Sequence, residues 1–587
     1  MSREIEEMRD ILDGSSASEQ ENDDDQEGNT PSSHFSQSSR GLFIFSPTAD
    51  STALQSLYPS SSDLLTMFDV FQQNVDPVAR IFHCPTLRTT VAEALPLLDG
   101  PLDRHTGLVL FSISYAALTS LDDEECQRMF GEERRVMLPR YRYAVEQSLV
   151  RARFLDSQNL AVLTSLVLFL LCVRRHDNSR FVSSLLGVVI RNAQAMGLHR
   201  DGTNFQLSPY ETEMRRRVWW HICVLDLRAS EDHGCDPSIY DQNYDTKFPL
   251  SINDEDISPS DTVPPPERVA GSDMIFCLLR FEVAVAIRRL NYPAPVGSHK
   301  SELSVGQKRR MVETVEKHFY ERYIHRCDIT KFFDWVSATW AKLMLAKMWL
   351  AVSNPLQPHS NSDDTATTPT PTPTPVNMRS LAFEKSVEVL ELSDLLETGH
   401  RAARWRWLFL THFQWHAVVF VLAHLCVWPA DELARRAWVV VDRVWERWST
   451  EKAGATRGML WKPIRRLMDR AQQIRAGSNS RHEAEGDDAP EPIGDGRMPV
   501  SFSNSMARYE DPLDNGRPDT MESNALDQFN PHEHLPMQVP VGDLLDETLH
   551  SEWTEILHEL QMGFQDGDIT MDLDAIQGYG GNFWNTL

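Results

Sequence analysis

Apolar residues recur at a helical spacing along residues 62–475, and this periodicity limits the fold of the chain more than any other feature. A repeat of about 3.6 residues places apolar side chains on one face of an α-helix, where they can pack against other helices. Strand signals are nearly absent, since no sustained alternation occurs and no Asn-Gly or Asp-Gly turn joins two β-branched runs. We therefore predict an all-α fold with one large multi-helix domain.

The periodic region is divided into shorter segments by turn residues and polar stretches. These segments predict helices over 62–73, 89–97, 104–121, 132–153, 157–174, 178–196, 209–231, 269–291, 304–352, 379–399, 402–427 and 431–450. The segment 304–352 is long enough that we expect it to contain two or three helices.

Polar segments flank and interrupt the helical region. Residues 1–61 are acidic and rich in serine, and residues 478–587 form an acidic tail, so both flanks are predicted to be disordered. Residues 353–378 contain a Thr/Pro repeat, which predicts an extended linker inserted in the domain because proline blocks helix formation. The helical domain is thus predicted over residues 62–352 and again over 379–477.

Charge and apolar run length exclude two classes of protein. The net charge is −28, and residues 481–587 contribute −19 of it through 23 Asp and Glu against four Arg, which argues against broad contact with DNA phosphates. The most apolar run, residues 160–173, has 14 residues, whereas a membrane span needs about 20. Without an apolar signal region or closely spaced cysteines, the sequence predicts a soluble intracellular protein without membrane contact.

The helix around a double tryptophan carries the clearest end signals. Ser208 followed by Glu211 is a capping box, and Pro209 stands at the first helical position, where its missing N–H costs nothing. Gly197 is predicted to end the preceding helix in a left-handed conformation, and Gly234 is a plausible stop for this one.

The same helix also has a predicted internal and external face. Glu211 with Arg215 and Glu213 with Arg217 are acid-first pairs one turn apart, which favours arginines paired on the outward face. A DNA contact by these arginines is the less favoured interpretation. The apolar stripe and the tryptophans, predicted to be buried, are Met214, Val218, Ile222 (or His221), Leu225, Trp219 and Trp220.

A family resemblance is carried by this region. Four landmarks occur in order, over residues 195–202, 213–220, 226–234 and 245–256. They resemble the fungal-specific transcription factor domain, the middle homology region of binuclear zinc-cluster regulators. The residues that carry the resemblance are Gly197, His199, Arg200, Asp201, Glu213, Arg215, Arg216, Arg217, Trp219, Trp220, Asp226 and Gly234.

The resemblance implies a zinc module that this sequence does not contain. Members of the family bind DNA through an N-terminal cluster of six cysteines that holds two zinc ions. Here the first cysteine is Cys84 and no Cys-x2-Cys spacing occurs, so we expect no cofactor in this chain. Either an upstream exon is missing from this sequence or the protein has no zinc cluster. DNA would then be reached only indirectly or through a missing N-terminal module.

Other patterns that suggest a metal site or catalysis are weaker than their structural explanations. His221, Cys223, His233 and Cys235 spell H-x-C-x9-H-x-C, but positions 221 and 223 point to different faces of a helix. Residues 253–256 lack the spacing of a calcium loop and are better explained as a capped, acidic surface loop. No phosphate loop, nucleophile elbow or His-Glu-x-x-His pattern occurs, so we predict that the chain is not an enzyme.

An aromatic helix is a candidate for an effector pocket. Its candidate lining residues are Trp407, Phe413, Trp415 and His416. Ordinary helix packing is the favoured alternative, since bulky apolar side chains at this spacing usually form a core.

The acidic tail interleaves carboxylates with bulky apolar side chains. Repulsion between the acids keeps such a segment open, so its apolar residues are predicted to fold on a partner groove as an activation segment. A merely solubilising tail is the alternative. The apolar candidates are Leu544, Leu545, Trp553, Ile556, Leu557, Leu573, Phe583 and Trp584.

From the resemblance we expect a nuclear regulator of RNA polymerase II genes, with a metabolic or secondary-metabolite gene cluster as its target. The implied partners are transcriptional coactivators, a second copy or a related factor as dimer partner, and a small-molecule effector. Two alternatives stay open: a finger-less modulator that pairs with a full-length factor, and a helical metabolite-binding or enzymatic protein with no transcriptional role.

Overall fold

A computed structural model gives the arrangement of most of the periodic region. It describes residues 54–100, 102–176, 179–233, 235–268, 271–292, 303–353, 375–410, 414–427, 432–450 and 461–485. The predictions made for residues 1–53, for most of the Thr/Pro linker and for the activation segment therefore lie outside the described residues.

Helices make up the regular structure of these ranges, and no strand occurs in them, which confirms the all-α prediction. The α-helices are α1 (Ser61–Val70), α2 (Asp76–Ala79), α3 (Cys84–Ala94), α4 (Arg104–Ser120), α5 (Asp123–Phe130), α6 (Arg134–Arg151), α7 (Leu160–Val173), α8 (Ser179–Ala195), α9 (Pro209–His233), α10 (Ile275–Asn291), α11 (Val305–Arg322), α12 (Phe332–Val352), α13 (Pro375–Thr398), α14 (Arg406–Phe409), α15 (Trp415–Val427), α16 (Glu432–Thr450) and α17 (Trp461–Glu485). A π-helical turn, Phe71–Val75, joins α1 to α2.

Three of the described α-helices, α2, α5 and α17, were not among the predicted helices, and α13 begins before its predicted boundary. The short helix α5 begins with a capping box between Asp122 and Glu125 and ends at Gly131, whose φ is 69°. The sequence contains its Asp-x-x-Glu capping signal, but the segment has too little apolar periodicity to predict a helix. Helix α13 begins four residues earlier than predicted, and α17 reaches Glu485, inside the predicted tail.

The predicted helix 402–427 is not continuous. A 3-10 helix, His400–Trp405, leads into the short α14, and α15 starts only at Trp415. The side chains of Trp405, Trp407 and Phe409 are all buried. Alternate residues of an α-helix lie about 200° apart, so one straight helix packed by a single face cannot bury all three. Trp407 and Phe409 both lie on α14, so this short helix is buried on more than one face.

Residue contacts divide the chain into two compact units. The first contains Met1–Asp69 and Arg88–Phe169, and the second contains Val70–Leu87 and Leu170–Leu587. None of the described helices is long and apolar enough to cross a membrane.

The first unit is built on α4, which is buried over nearly its whole length and packs against α6. The Asp103 carboxylate caps α4 by accepting hydrogen bonds from the N–H groups of His105 (2.9 Å) and Thr106 (3.2 Å). On this helix Phe111 stacks on Tyr58 with ring centroids 4.5 Å apart. Close contact of apolar side chains around one buried helix gives this unit its core.

The second unit places α9 between α8 and α10, and α10 in turn packs against α12. Helices α12 and α13 form its most extensive helix pair, and α13 also contacts α15 and α16. Irregular chain over residues 235–257 follows α9, and it is this segment, together with residues 70–87, that surrounds the polar side of α9.

Candidate functional site

The predicted end of α8 and the predicted start of α9 are both present in the structure. Gly197 has a φ of 77°, and the N–H of Leu198 donates to the Ala193 carbonyl at 2.9 Å, which closes α8 in a left-handed cap. Helix α9 begins at Pro209, and the Ser208 hydroxyl accepts a hydrogen bond from the Glu211 N–H at 3.2 Å. The predicted stop, Gly234, lies outside the described residues.

The double tryptophan fixes α9 to the irregular chain that follows it. Both indole rings are buried, as predicted, and the Nε1–H of Trp220 donates to the Lys247 carbonyl at 2.8 Å. The Trp220 ring lies 4.2 Å from that of Phe248, and Tyr244 contacts both tryptophans. Trp219 contacts His199 at the end of the preceding turn, with centroids 6.3 Å apart. The other predicted stripe residues, Met214, Val218, Ile222 and Leu225, are buried as well.

Asp201 and Arg216 form a buried, bidentate ion pair. The guanidinium donates to both carboxylate oxygens, at 2.8 and 2.9 Å, and the Lys247 N–H adds a third hydrogen bond at 3.0 Å. Burial is the largest single effect and raises the pKa of Asp201, but the hydrogen bonds from Arg216, Thr203 and Lys247, together with the charge of Arg216, hold that pKa well below its usual range. The Asp201 N–H in turn donates to Asp245, which also pairs with the half-exposed Arg200 at 3.2 Å.

Arg217 lies at the centre of a second buried ion pair. Its side chain is 0% exposed and donates to Glu213 at 2.9 Å and to Asp254 at 2.6 Å. Burial lowers the pKa of Arg217, but the two carboxylates more than compensate and raise it overall. Glu213 also accepts from the Leu250 N–H at 3.0 Å, and Asp254 from the Cys84 N–H at 2.7 Å. A single guanidinium thereby holds α9, the segment after it and the start of α3 together.

Arg80, which lies between α2 and α3, connects Asp76, Asp254 and Asp273 in this cluster. Arg80 contacts Asp76 at 2.9 Å, Asp254 at 3.5 Å and Asp273 at 3.1 Å. We call the set Asp76, Arg80, Glu213, Arg217, Asp254 and Asp273 the ion network. It contains four carboxyl groups and two guanidinium groups, so burial, together with the negative charge of Asp254, raises the pKa of Asp76 to about 7.

Asp226 lies nine residues after Arg217 on α9 and makes a separate set of hydrogen bonds. Its carboxylate accepts hydrogen bonds from the N–H groups of Ser238 (3.1 Å) and Ile239 (2.8 Å). These bonds satisfy backbone donors of an irregular segment, which would otherwise be costly to bury. The landmark acids of this domain are therefore counterions and acceptors for the protein itself.

The prediction that the arginines of α9 pair on the outward face is wrong for two of them. Both predicted pairs form, with Arg215 and Glu211 3.2 Å apart at the half-buried start of the helix. Arg216 and Arg217, however, are buried, because acids from distant segments pair with them: Asp201 with Arg216, and Asp254 with Arg217. A helical spacing rule counts only the partner on the same helix and so assigns such a pair to the surface.

The loop at residues 253–256 differs from its prediction in a similar way. Asn253 and Asp256 form the predicted cap, with the Asn253 N–H donating to Asp256 at 2.9 Å. Asp254 lies between them but is buried in the ion network, so this residue does not belong to an acidic surface loop. Its local sequence carries no sign of the two arginines that neutralise it.

The candidate pocket residues are only partly described. Trp407 is buried, and its indole N–H donates to the Asn74 carbonyl at 3.1 Å, while His416 is half-buried. Phe413 and the side chain of Trp415 lie outside the described residues. The structure gives Trp407 a packing role, and an effector pocket formed by this set stays a prediction.

The described residues do not fit a zinc site. Seven of the eight cysteines are buried or half-buried as separate thiols, and the predicted burial of Cys172 and Cys426 is confirmed. Within the described ranges no group of three His, Cys, Asp or Glu side chains could hold a metal ion. On α9, His221 instead contacts the Ala79 carbonyl, and burial lowers its pKa to about 3.

Sequence reasoning missed half of the ion network. Asp76, Arg80 and Asp273 lie far from the landmarks in sequence, and no local motif marks them. The signal that could have been used is a pair of charged residues inside an otherwise apolar stretch, at 76 and 80, one helical turn apart.

Comparison with known families decides what the landmarks belong to. Residues 68–371 match the family described as fungal specific transcription factor domain. The match covers more than half of the chain and contains the whole ion network. The chain belongs to this family. In this fungal specific transcription factor domain, the landmark acids and arginines are the residues that hold α9 against the rest of the second unit.

Three proteins named as transcription factors are similar to parts of this chain. The chain is 31% identical to the aurofusarin cluster transcription factor of Gibberella zeae over 403 residues, which are 67% of this chain and 58% of that protein. It is 27% identical to a C6 finger domain transcription factor of Aspergillus niger over 501 residues, 80% of this chain and 61% of the relative. A pyriculol/pyriculariol biosynthesis cluster transcription factor of Pyricularia oryzae is 37% identical over 238 residues, 40% and 31% of the two chains. The chain thus spans less than two thirds of the length of these relatives.

Replacing Arg217 by methionine is expected to destabilise the second unit strongly. The change leaves Glu213 and Asp254 buried without their main counterion, which costs about 3–5 kcal/mol. Arg200→Met is the matched control, since Arg200 pairs with Asp245 at a half-exposed site and its loss costs about 0–1 kcal/mol. Urea unfolding followed by tryptophan fluorescence measures both. Equal losses of unfolding free energy in the two variants would show that the buried ion pair stabilises the protein no more than the half-exposed one.

The ion network also predicts a pH dependence that Asp76→Asn removes. In the folded protein Asp76 stays protonated up to a pKa of about 7, whereas in the unfolded chain it ionises near 3.8. Its contribution to stability is therefore fully present below about pH 4 and is lost as the pH rises through about 7. Relative to the variant, the wild-type protein should lose thermal stability between pH 5 and pH 8.

Comparing the wild-type protein with the Asp76→Asn variant isolates the contribution of Asp76 to the pH dependence of stability. His221, with its pKa lowered to about 3, contributes the opposite trend, since its stabilisation is present above its ordinary 6.5 and lost as the pH falls. That trend is shared by both proteins and cancels in the difference between their unfolding temperatures. A difference that stays constant from pH 5 to pH 8 would contradict a raised pKa for Asp76.

Proposed function

We propose that the protein regulates transcription of RNA polymerase II genes in the nucleus of a fungus. Its helical domain controls an acidic activation tail, and its target genes are those of a secondary-metabolite cluster. The observation that carries the proposal is the match of residues 68–371 to the fungal specific transcription factor domain. The printed names of two relatives, one of an aurofusarin cluster and one of a pyriculol/pyriculariol biosynthesis cluster, support the class of target genes.

The geometry of α9 supports a regulatory role for this domain and not a role in reading DNA. Phosphate contacts require exposed cations, and in nucleic-acid-binding proteins these lie on one accessible face. Arg216 and Arg217 are instead buried against Asp201, Glu213 and Asp254. Contact with DNA then depends on another module or on a partner protein, and chemistry on a substrate is not part of the proposed mechanism.

The composition of the tail supports an activation role for residues 540–587. This segment contains ten Asp and Glu and neither Lys nor Arg, interleaved with tryptophan, leucine, isoleucine and phenylalanine. An acidic segment of this kind stays open and presents its apolar side chains to a hydrophobic groove, where it folds on binding. Transcriptional coactivators are the proposed partners.

Deletion of the gene in the native fungus tests the proposed function. Transcripts of the neighbouring biosynthetic genes are expected to fall to uninduced levels, measured by RNA sequencing. Re-expression of the wild-type chain or of the Arg200→Met variant should restore them, whereas the unstable Arg217→Met variant should not. Unchanged transcripts genome-wide after deletion would exclude a role in transcription.

A reporter assay tests the activation tail separately. Residues 540–587 fused to an unrelated DNA-binding domain are expected to activate the reporter, and Trp553→Ala with Ile556→Ala and Leu557→Ala should remove most of that activity. These apolar residues supply the contact area with a groove. The matched control replaces Thr548, Thr554 and Gln561 by alanine, which leaves both the acids and the apolar residues in place. Equal activity of the two triple variants would favour a merely solubilising tail.

A further inference from the structure

The start of α12 and the 3-10 helix before α14 form a mixed aromatic and cationic surface. Phe332 is the first residue of α12, and its side chain is 51% exposed. The Arg401 guanidinium lies 6.0 Å from the centroid of the Phe332 ring and 5.6 Å from that of Trp335. The His400 ring meets the Phe332 ring edge-on, with centroids 6.0 Å apart. These contacts bring four side chains from two elements to one place.

Arg404 extends this surface along the 3-10 helix, His400–Trp405. In a 3-10 helix, side chains three residues apart lie above one another, so Arg404 is on the same face as Arg401. Its side chain is exposed to solvent. We call the set Phe332, Trp335, His400, Arg401 and Arg404 the aromatic–arginine patch.

The residues beside the patch are firmly packed. Phe333, which follows Phe332, contacts Trp405 and Phe276 with ring centroids 4.9 and 5.8 Å apart. The N–H of the buried Ala402 donates to the Gly399 carbonyl at 3.0 Å. Packing of its neighbours therefore keeps the Phe332 ring at the surface, where an aromatic side chain has no stabilising role of its own.

The two arginines of the patch have no acidic partner among the described residues. The acids closest to Phe332 in sequence are engaged within their own turn. Asp328 pairs with Lys331 at 3.9 Å and accepts a hydrogen bond from the Thr330 hydroxyl at 2.6 Å, while Asp334 accepts from the Asp328 N–H at 3.0 Å. An exposed ring bordered by guanidinium groups without carboxylates favours a partner that is both acidic and apolar.

Residues 544–557 of the tail have this composition. They contain four Asp and Glu and neither Lys nor Arg, together with six bulky apolar residues. On an α-helix, Trp553, Ile556 and Leu557 share one face, and Glu552 and Glu555 lie along one border of it. A segment bound in this way offers an apolar stripe to the exposed rings and carboxylates to the guanidinium groups.

The length of the chain allows this contact within one molecule. Helix α17 ends at Glu485, and residues 486–543 separate it from the acidic and apolar segment. A chain of that length can span up to about 200 Å. A compact domain of some 300 residues has a radius of gyration of only about 19 Å. Covalent linkage also gives the segment a high effective concentration at its own domain, so a weak contact is sufficient.

We propose that residues 544–557 dock on the aromatic–arginine patch of the same chain and are thereby withheld from coactivators. Trp553, Ile556 and Leu557 pack on the exposed rings, and the neighbouring carboxylates pair with Arg401 and Arg404. The same apolar residues are those proposed to enter a coactivator groove, so the two contacts exclude each other. This consequence rests on the proposed function of the tail, whereas the docking is a property of the purified protein.

Photo-crosslinking of the purified full-length chain tests the docking. The photoreactive analogue p-benzoylphenylalanine is placed at position 332, and mass spectrometry of the monomeric product is expected to find crosslinks to residues 544–557. The analogue at position 263 is the matched control, since Val263 is 72% exposed in the same unit and outside the patch. From position 263, no crosslink to residues 544–557 is expected.

Charge reversal tests the role of the arginines. Arg401→Glu with Arg404→Glu is expected to lower the crosslink yield roughly fivefold, because two exposed attractive pairs become repulsive. Adding Glu552→Arg with Glu555→Arg to that variant should restore the yield, which also shows that the domain is still folded. Arg465→Glu with Arg466→Glu, both exposed on α17, makes the same change in net charge and should leave the yield unchanged.

Three outcomes would overturn the docking. They are no crosslink from position 332 to residues 544–557, crosslinks to this segment only in a dimeric product, and an equal loss of yield in the Arg401/Arg404 and Arg465/Arg466 variants. The second of these would assign the patch to the tail of another copy. Crosslinking requires no transcription, so a tail that docks but does not activate a reporter would contradict the proposed function and leave the docking intact.

Discussion

The burial of one arginine determines how the second unit is arranged. Arg217 is 0% exposed, and a guanidinium cannot be taken from water unless carboxylates and further hydrogen bonds surround it. Glu213 comes from the same helix, but Asp254 lies 37 residues further along the chain. The segment after α9 must therefore return to the helix, and the start of α3 follows because its first N–H donates to Asp254. Packing of the double tryptophan on Lys247 and Phe248 reinforces the same return.

Helix α9 carries two groups of charges with different balance. Around Arg217, near its start, carboxyl groups outnumber guanidinium groups, and Asp76 is held partly protonated at neutral pH as a result. Near its end, Arg228 pairs with Glu231 and Arg174 pairs with Asp232, so cations and carboxylates are matched one to one. Arg217 and Arg228 are eleven residues apart, about 16 Å along a rigid helix. At that distance each group has to find its counterions among its own neighbours.

The fold class and most helix positions could be predicted because they depend on local periodicity. The caps at Gly197 and Ser208 and the pairs Glu211–Arg215 and Glu213–Arg217 also follow from spacing of four residues or fewer. The break in the aromatic helix could not be predicted in this way. Periodicity does not show that a short helix is surrounded on more than one side, as α14 is. The same is true of the candidate site, where Asp76, Arg80 and Asp273 have no local signature.

The sequence by itself determined that the chain forms helices, where α8 ends and α9 begins, and which family the region around α9 resembles. These properties arise from interactions between residues that are near in sequence, and such interactions exist before the chain is compact. Only the tertiary structure decided that Arg216 and Arg217 point inward, that Asp254 is buried, and that Arg174 pairs with Asp232. Each of these outcomes requires partners separated by tens to hundreds of residues, and a charge is buried or exposed according to those partners alone.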